Sequence, residues 1–208
     1  MANYDRMRII SDTAELYLLN EFPQYDKIKR IKKHTIEMTP FLQSHYGDPG
    51  DGDCTLCSIM TQIYHFLNGK YDDNTIYNFI RPLAKKYFFT NQYGTIPIFA
   101  QTIFNQTLKK FGLKRRVRSF YFKNIGYNIK FIKKQLDKNI PILFSIFKDG
   151  RNYYTSHSIT IIGYETFRLE KSGLAPKNVD MLIVYDNWSK TQSYVDYNKV
   201  STISSIYC

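Results

Sequence analysis

The run SITIIGYE, residues 158–165, decides the fold. Ile159, Thr160, Ile161 and Ile162 are four consecutive β-branched residues, stiff at χ1 and suited to a pleated surface. The run is too short for a helix and closes on Gly163. Two similar runs flank it, PILFSIF (141–147) and MLIVYD (181–186), so the three predict neighbouring strands. KDGRN between the first two reads as a hairpin turn, and SGLAPKN (172–178) as a second turn-rich connector. Working back, GYNIKFIKKQLDKN (126–139) returns to helical spacing and RVRSFYF (116–122) alternates as a strand.

Upstream the period becomes helical. Residues 4–20 place Ile9, Ile10, Leu16, Leu18 and Leu19 on a broad apolar face. KIKRIKKHTI (27–36) fits a helix or a strand equally. Cys54 to Asn68 predicts a helix through Ile59, Ile63, Phe66 and Leu67, with Gly69 as its stop. A second helix starts at an Asp73 cap and carries Ile76, Phe79, Ile80 and Leu83, with a kink expected at Pro82. A third opens at Pro97, a favoured first helical position, and runs to Phe111. Helices first and strands second predict an α+β fold, the helical half packed on a mostly antiparallel sheet. The expected division is a helical N-terminal extension over 1–42 and one compact domain over 43–208.

The chain has 208 residues, 43% of them hydrophobic and 16% aromatic, enough to bury a core and too apolar for disorder. No apolar run reaches the roughly 18 residues that span a bilayer. The N-terminal stretch lacks the layout of a secretion signal, which points to the cytoplasm; a secreted protein with its leader trimmed would read the same. Three cysteines do not make a disulfide framework. The net charge of +11 raises nucleic acid as a partner. Its bases fall in KIKRIKKH (27–34), KKFGLKRRVR (109–118) and KFIKKQLDK (130–138), where apolar residues alternate with them, and no nucleic-acid motif accompanies them. A solvated basic face is the simpler reading.

The pattern breaks in MTPFLQSHYGDPGDGD (38–53), a long Pro- and Gly-rich loop that ends at Cys54. A thiolate at a helix start is favoured by the unpaired N–H groups and the macrodipole. Asp48, Asp51 and Asp53 oppose that effect if they point inward. A nucleophile needs a base, and the chain offers four histidines. His34 sits in a basic stretch. His65 is three turns along the same helix, about 16 Å from Cys54. His45 lies in the loop. His157 opens the SITIIGYE strand, where a rigid sheet would hold its ring. Asp186 and Asn187, in VYDNW (184–188), end the next strand and supply a third group to orient that ring.

Cys54 in DCTLCSI, His157 in SHSITIIGY and Asp186 in VYDNWS, in this order, resemble the papain-like cysteine peptidase superfamily. Within it, the domain that cleaves double-glycine leader peptides from bacteriocins, with its bacterial relatives, is most similar. The resemblance covers residues 43–190 and implies a papain-like fold, Cys54 as nucleophile, His157 as general base and acid, Asp186 as orienter, and a peptide substrate. It departs at one position. The family places Gln six residues before the Cys, as an oxyanion donor; Asp48 stands here. Gln43 and His45 are then the candidate donors, and Asn187 a further orienting group. Losing one such donor costs about 100- to 1000-fold, so a weak enzyme, or a binding module on the same fold, is the alternative, beside a basic nucleic-acid-binding protein.

Cys57 follows Cys54 by three residues. A redox pair wants a strand immediately upstream, and the stretch there is loop. Cys54 and Cys57 within one turn, with His45 and a distant His65, cannot converge on a tetrahedron. Cys57 reads as a small core residue, and no metal or cofactor is expected.

Overall fold

The β-branched run beginning at His157 grows into the longest strand of the molecule. The structure, a computed structural model, describes residues 9–10, 14–46, 52–121, 125–146, 157–199 and 205–207. Among these are eight strands and five α-helices: β1 (Ile9–Ile10), α1 (Ala14–Glu21), β2 (Lys27–Thr35), α2 (Cys54–Phe66), α3 (Asp73–Lys85), α4 (Pro97–Lys110), β3 (Ser119–Tyr121), α5 (Ile125–Leu136), β4 (Ile142–Ile146), β5 (His157–Glu170), β6 (Lys177–Tyr185), β7 (Ser193–Asp196) and β8 (Ser205–Tyr207). The fold is α+β, and every strand pairing in its single sheet is antiparallel.

β5 is the spine. Its first five residues pair with β4, Ile146 opposite His157, and the stretch from Gly163 onward pairs with β2 on the same edge. β6 lies along the other edge, and β7 and β1 follow it outward. Beyond β4 come β8 and β3. The register of β5 shifts at Ile162, whose carbonyl accepts from Ile36 N–H at 2.7 Å. Gly163 is required by close approach: a Cβ there would meet His34 O at 2.3 Å and Thr35 Cα at 2.9 Å.

Alternation along the strands sorts the core. Leu182 and Val184 of β6 join Phe144, Ile159 and Ile161 against Ile132 and Leu136 of α5. Val179, Met181 and Ile183 join Ile162 and Phe167 against Ala14 and Leu18 of α1. The third cluster packs α2, α3 and α4 together through Leu56, Ile59, Ile76, Ile80, Ile103 and Phe104, and meets the sheet at Leu143.

The N-terminal expectations are corrected. The described residues of 1–42 are not mainly helical: Ile9–Ile10 pair with β7, α1 covers Ala14–Glu21, and the ambiguous basic run is β2, paired along β5. Leu16 and Leu19 are exposed, while Leu18 is buried in the core. The cap of α3 is Asp72 rather than Asp73: its Oδ1 accepts from Thr75 N–H at 2.8 Å. α3 runs on through Pro82 to Lys85. The hairpin turn expected at 148–152 lies outside the described residues. Among the described residues no helix is long and apolar enough to cross a membrane.

Candidate active site

Cys54 is the first residue of α2, and its environment is set by the residue before it. Asp53 takes the cap position, yet its side chain makes no capping bond. Its Oδ2 instead accepts from Tyr77 OH of α3 at 2.5 Å, and the carboxylate is fully buried. This turns one of the three loop acids away from the thiol, and the first-turn amides are not taken up by their own cap. Burial and the Asp53 bond push the Tyr77 hydroxyl up. Asp48, Gly50 and Asp51 lie outside the described residues.

The backbone ahead of Cys54 is clamped from outside. Gly52 N–H donates to Asn91 O at 2.6 Å. A Cβ on Gly52 would lie 2.4 Å from Gly94 Cα, and one on Gly94, whose φ is +70°, 2.6 Å from Gly52 O. Only glycine at both positions allows this crossing. The segment that carries Gly94 presents exposed apolar side chains: Phe88 (68%), Tyr93 (81%), Ile96 and, at the start of α4, Ile98 (76%).

His157 opens β5 and is buried. Its Nε2 lies 2.7 Å from the backbone carbonyl of Asp186, at the end of β6. A carbonyl only accepts, so Nε2 carries the proton, and Nδ1 is the nitrogen left for the thiol. The Cys54 thiol lies 3.9 Å from Gly52 O, and His157 and Cys54 are close enough to influence each other's ionisation. Burial alone would raise the Cys54 thiol; the His157 bond and charge, with backbone bonds from Ser158 and Thr55, bring it below the ordinary thiol value. Burial likewise opposes a charge on His157, and the Cys54 bond with the Asp186 carbonyl and charge raises it above the ordinary histidine value. Each shift favours the charged form of its group, and the two groups are coupled.

Asp186 acts through two different groups. While its carbonyl holds the ring, its carboxylate closes the following turn: Oδ1 accepts from Trp188 N–H (3.0 Å) and Ser189 N–H (3.2 Å), and Oδ2 from Ser193 OH (3.3 Å). The turn lays Trp188 flat over His157, with ring centroids 4.1 Å apart and planes 20° apart. The indole shields the imidazole from water.

Asn187, at φ +63°, reaches the other way. Its Nδ2 is within 3.0 Å of Cys54 O and 2.8 Å of both Ser58 Oγ and Ser158 O. It ties the nucleophile's helix to the histidine's strand. Small hydroxyls complete the seam: Thr55 Oγ1 lies 2.8 Å from Ser158 Oγ, which lies 3.0 Å from Ser145 Oγ.

The structure thus brings Cys54, His157, Asp186 and Asn187 together. Gln43 joins them through its backbone, N–H to Asn187 O at 2.9 Å. His45 does not join: it is exposed, and its ring contact is with Tyr46. Asn187 orients α2 rather than the imidazole. Cys57 is fully buried, and burial, with Asp53 and Cys54 nearby, pushes its thiol well above the ordinary value, so it is an inert core residue. Among the described residues no three His, Cys, Asp or Glu side chains gather to hold a metal. Sequence reading missed the roles of Trp188, Ser158 and the Gly52–Gly94 crossing. The first had a signal, being the only Trp of the chain and two residues beyond the orienting acid; the others depend on distant partners. No family model matches the chain, and no curated protein matches it.

Proposed function

We propose that the protein is a thiol hydrolase of papain-like type that cleaves an amide bond of a peptide. The observation that carries this reading is a buried His157, its tautomer fixed by the Asp186 carbonyl under Trp188, electrostatically coupled to Cys54 at a helix start. The Cys54 thiolate attacks the substrate carbonyl carbon, and the carbonyl π electrons move to oxygen. That oxyanion forms beside the first-turn amides of α2, with the Gln43 side chain, held close by its backbone bond to Asn187, as a second donor. Imidazolium His157 gives its Nδ1 proton to the leaving amine as the C–N bond breaks. A water then loses a proton to His157 and attacks the thioester, releasing the acid and restoring the thiol pair. The apolar side chains at 88–98, anchored two residues before the nucleophile, support a substrate with bulky apolar residues on that side.

Iodoacetamide labelling across pH tests the first step. A thiol of ordinary pKa near 8.5 is about 1% thiolate at pH 6.5. Because the pair lowers Cys54 and raises His157, Cys54 is expected to label more readily below pH 8 than an ordinary thiol, and His157→Ala to move the labelling profile to higher pH, since burial is then opposed only by the backbone bonds from Ser158 and Thr55. Equal, slow labelling of both proteins would refute an activated thiolate and leave a peptide-binding module in its place.

A further inference from the structure

The far end of α2 carries a different chemistry. Twelve residues separate Cys54 from Phe66, about 18 Å along the helix axis. There the C-terminal turns of α2 and α4 meet residues 109–118, KKFGLKRRVR, in which six of ten residues are basic. Lys109, Lys110, Lys114, Arg115, Arg116 and Arg118 are all exposed. Some cations elsewhere have acidic partners: Arg30 and Lys33 on Glu165, Lys32 on Asp137, Lys133 on Asp180. None of the six pairs with a described acidic residue. Helix C-termini favour a cation or two; that accounts for Lys109 and Lys110 at the end of α4 and not for the four bases beyond it.

Beneath these charges lies an aromatic floor. Phe111 sits between Tyr71 (centroids 5.2 Å) and Phe79 (5.9 Å), all three half-buried. Lys110 lies over Phe79, Lys70 over Tyr71, and Arg115 over Phe66 at 4.3 Å. Beside them opens a cleft of about 320 Å³ where Arg115, Arg116 and the amide of Gln135 stand beside apolar walls that include Phe66, Leu108 and Val117. Cations spaced along a segment, flat rings between them and a cleft with an amide suit a flexible chain of phosphates whose bases are unstacked. They do not suit a duplex, whose bases are unavailable to the rings, or a carboxylate polymer, which has no ring to stack.

We propose that this face binds single-stranded nucleic acid, phosphates on the bases of residues 109–118 and nucleobases on the Tyr71–Phe111–Phe79 belt and in the adjoining cleft. The site is independent of the thiol.

The test is fluorescence anisotropy of a labelled mixed-sequence 20-mer with the full chain at 50 and 200 mM salt, against the same sequence as duplex and against polyglutamate. Binding at 50 mM that weakens with salt is expected. Arg115→Gln/Arg116→Gln should weaken it about tenfold or more and flatten the log–log salt slope by about 1.4, two phosphate contacts at about 0.7 each. Phe111→Leu, which keeps bulk and removes a ring, should weaken the single strand and leave any polyglutamate binding unchanged. Lys114→Gln/Arg118→Gln, both at exposed positions, gives a second reading if the first pair loses its thermal transition. No binding at 50 mM, wild-type affinity in both double variants, tighter binding of duplex, or equal competition by polyglutamate would overturn the proposal.

Discussion

The carbonyl oxygen of Asp186 does for His157 what its carboxylate was expected to do. Main-chain position is insensitive to side-chain identity, so two substitutions separate the roles. Asp186→Asn keeps the carbonyl and an acceptor for the Trp188 and Ser189 amides, and loses the charge that helps raise His157 and the acceptor of the Ser193 hydroxyl. Labelling of Cys54 at pH 7 should stay within about tenfold of wild type. The alkaline limit of the ion pair should move down, because a less raised His157 loses its proton earlier. Asp186→Ala also leaves two turn amides without their acceptor, costing about 1–3 kcal/mol, and frees Trp188; labelling should fall much further. Equal labelling in the two variants would show that the carboxylate itself governs the ring.

At the scale of elements, β5 serves two edges' worth of partners because one glycine lets β2 close in. Gly163→Ala would press a Cβ onto His34 O and Thr35 Cα, both backbone and unable to turn aside. The expected cost is about 1–3 kcal/mol, read as a lower urea midpoint. The Cys54 labelling profile should not change, since His157 pairs with β4 at the other end of the strand; an unchanged midpoint would mean that β2 shifts freely. The elements most legible in the sequence were α2, α3, α4, β4, β5 and β6, where apolar spacing and burial agree. β2 was ambiguous because residues 29–33, Ile31 included, are exposed, so burial imposes no period on the run. Residues 4–20 misled because Ile9 and Ile10 fit a helical face, while their partners, Tyr194 and Ser193, are remote in sequence.

Across the whole molecule, the site is a joint between a helical half and a sheet half, and Asn187 is its fastener. Asn187→Gly suits the φ of +63° and removes only the amide. Losing its bonds to Cys54, Ser58 and Ser158 should cost about 1–3 kcal/mol and slow labelling of Cys54 at every pH, without shifting the profile. An unaltered rate would show that the hydroxyl seam alone aligns the two halves. The order Cys54, His157, Asp186 was readable because each residue sits at an element's end. What the loop clamp, the indole and the seam contribute was not, because each arises from contacts that spacing along the chain does not encode.

The seam also fixes when the thiol becomes reactive. Thr55 and Ser158 lie 103 residues apart, and Asn187 reaches back 133 residues to Cys54. On a ribosome the nucleophile's helix emerges long before its base, its shield or its fastener has been made. Local helical contacts form early and distant strand pairings late. Until β5 and β6 are in place, Cys54 remains an ordinary thiol on a bare helix, so under the proposed function nascent chains would not be exposed to an activated thiol. Its alkylation rate during refolding would serve as a clock for the last strands to dock.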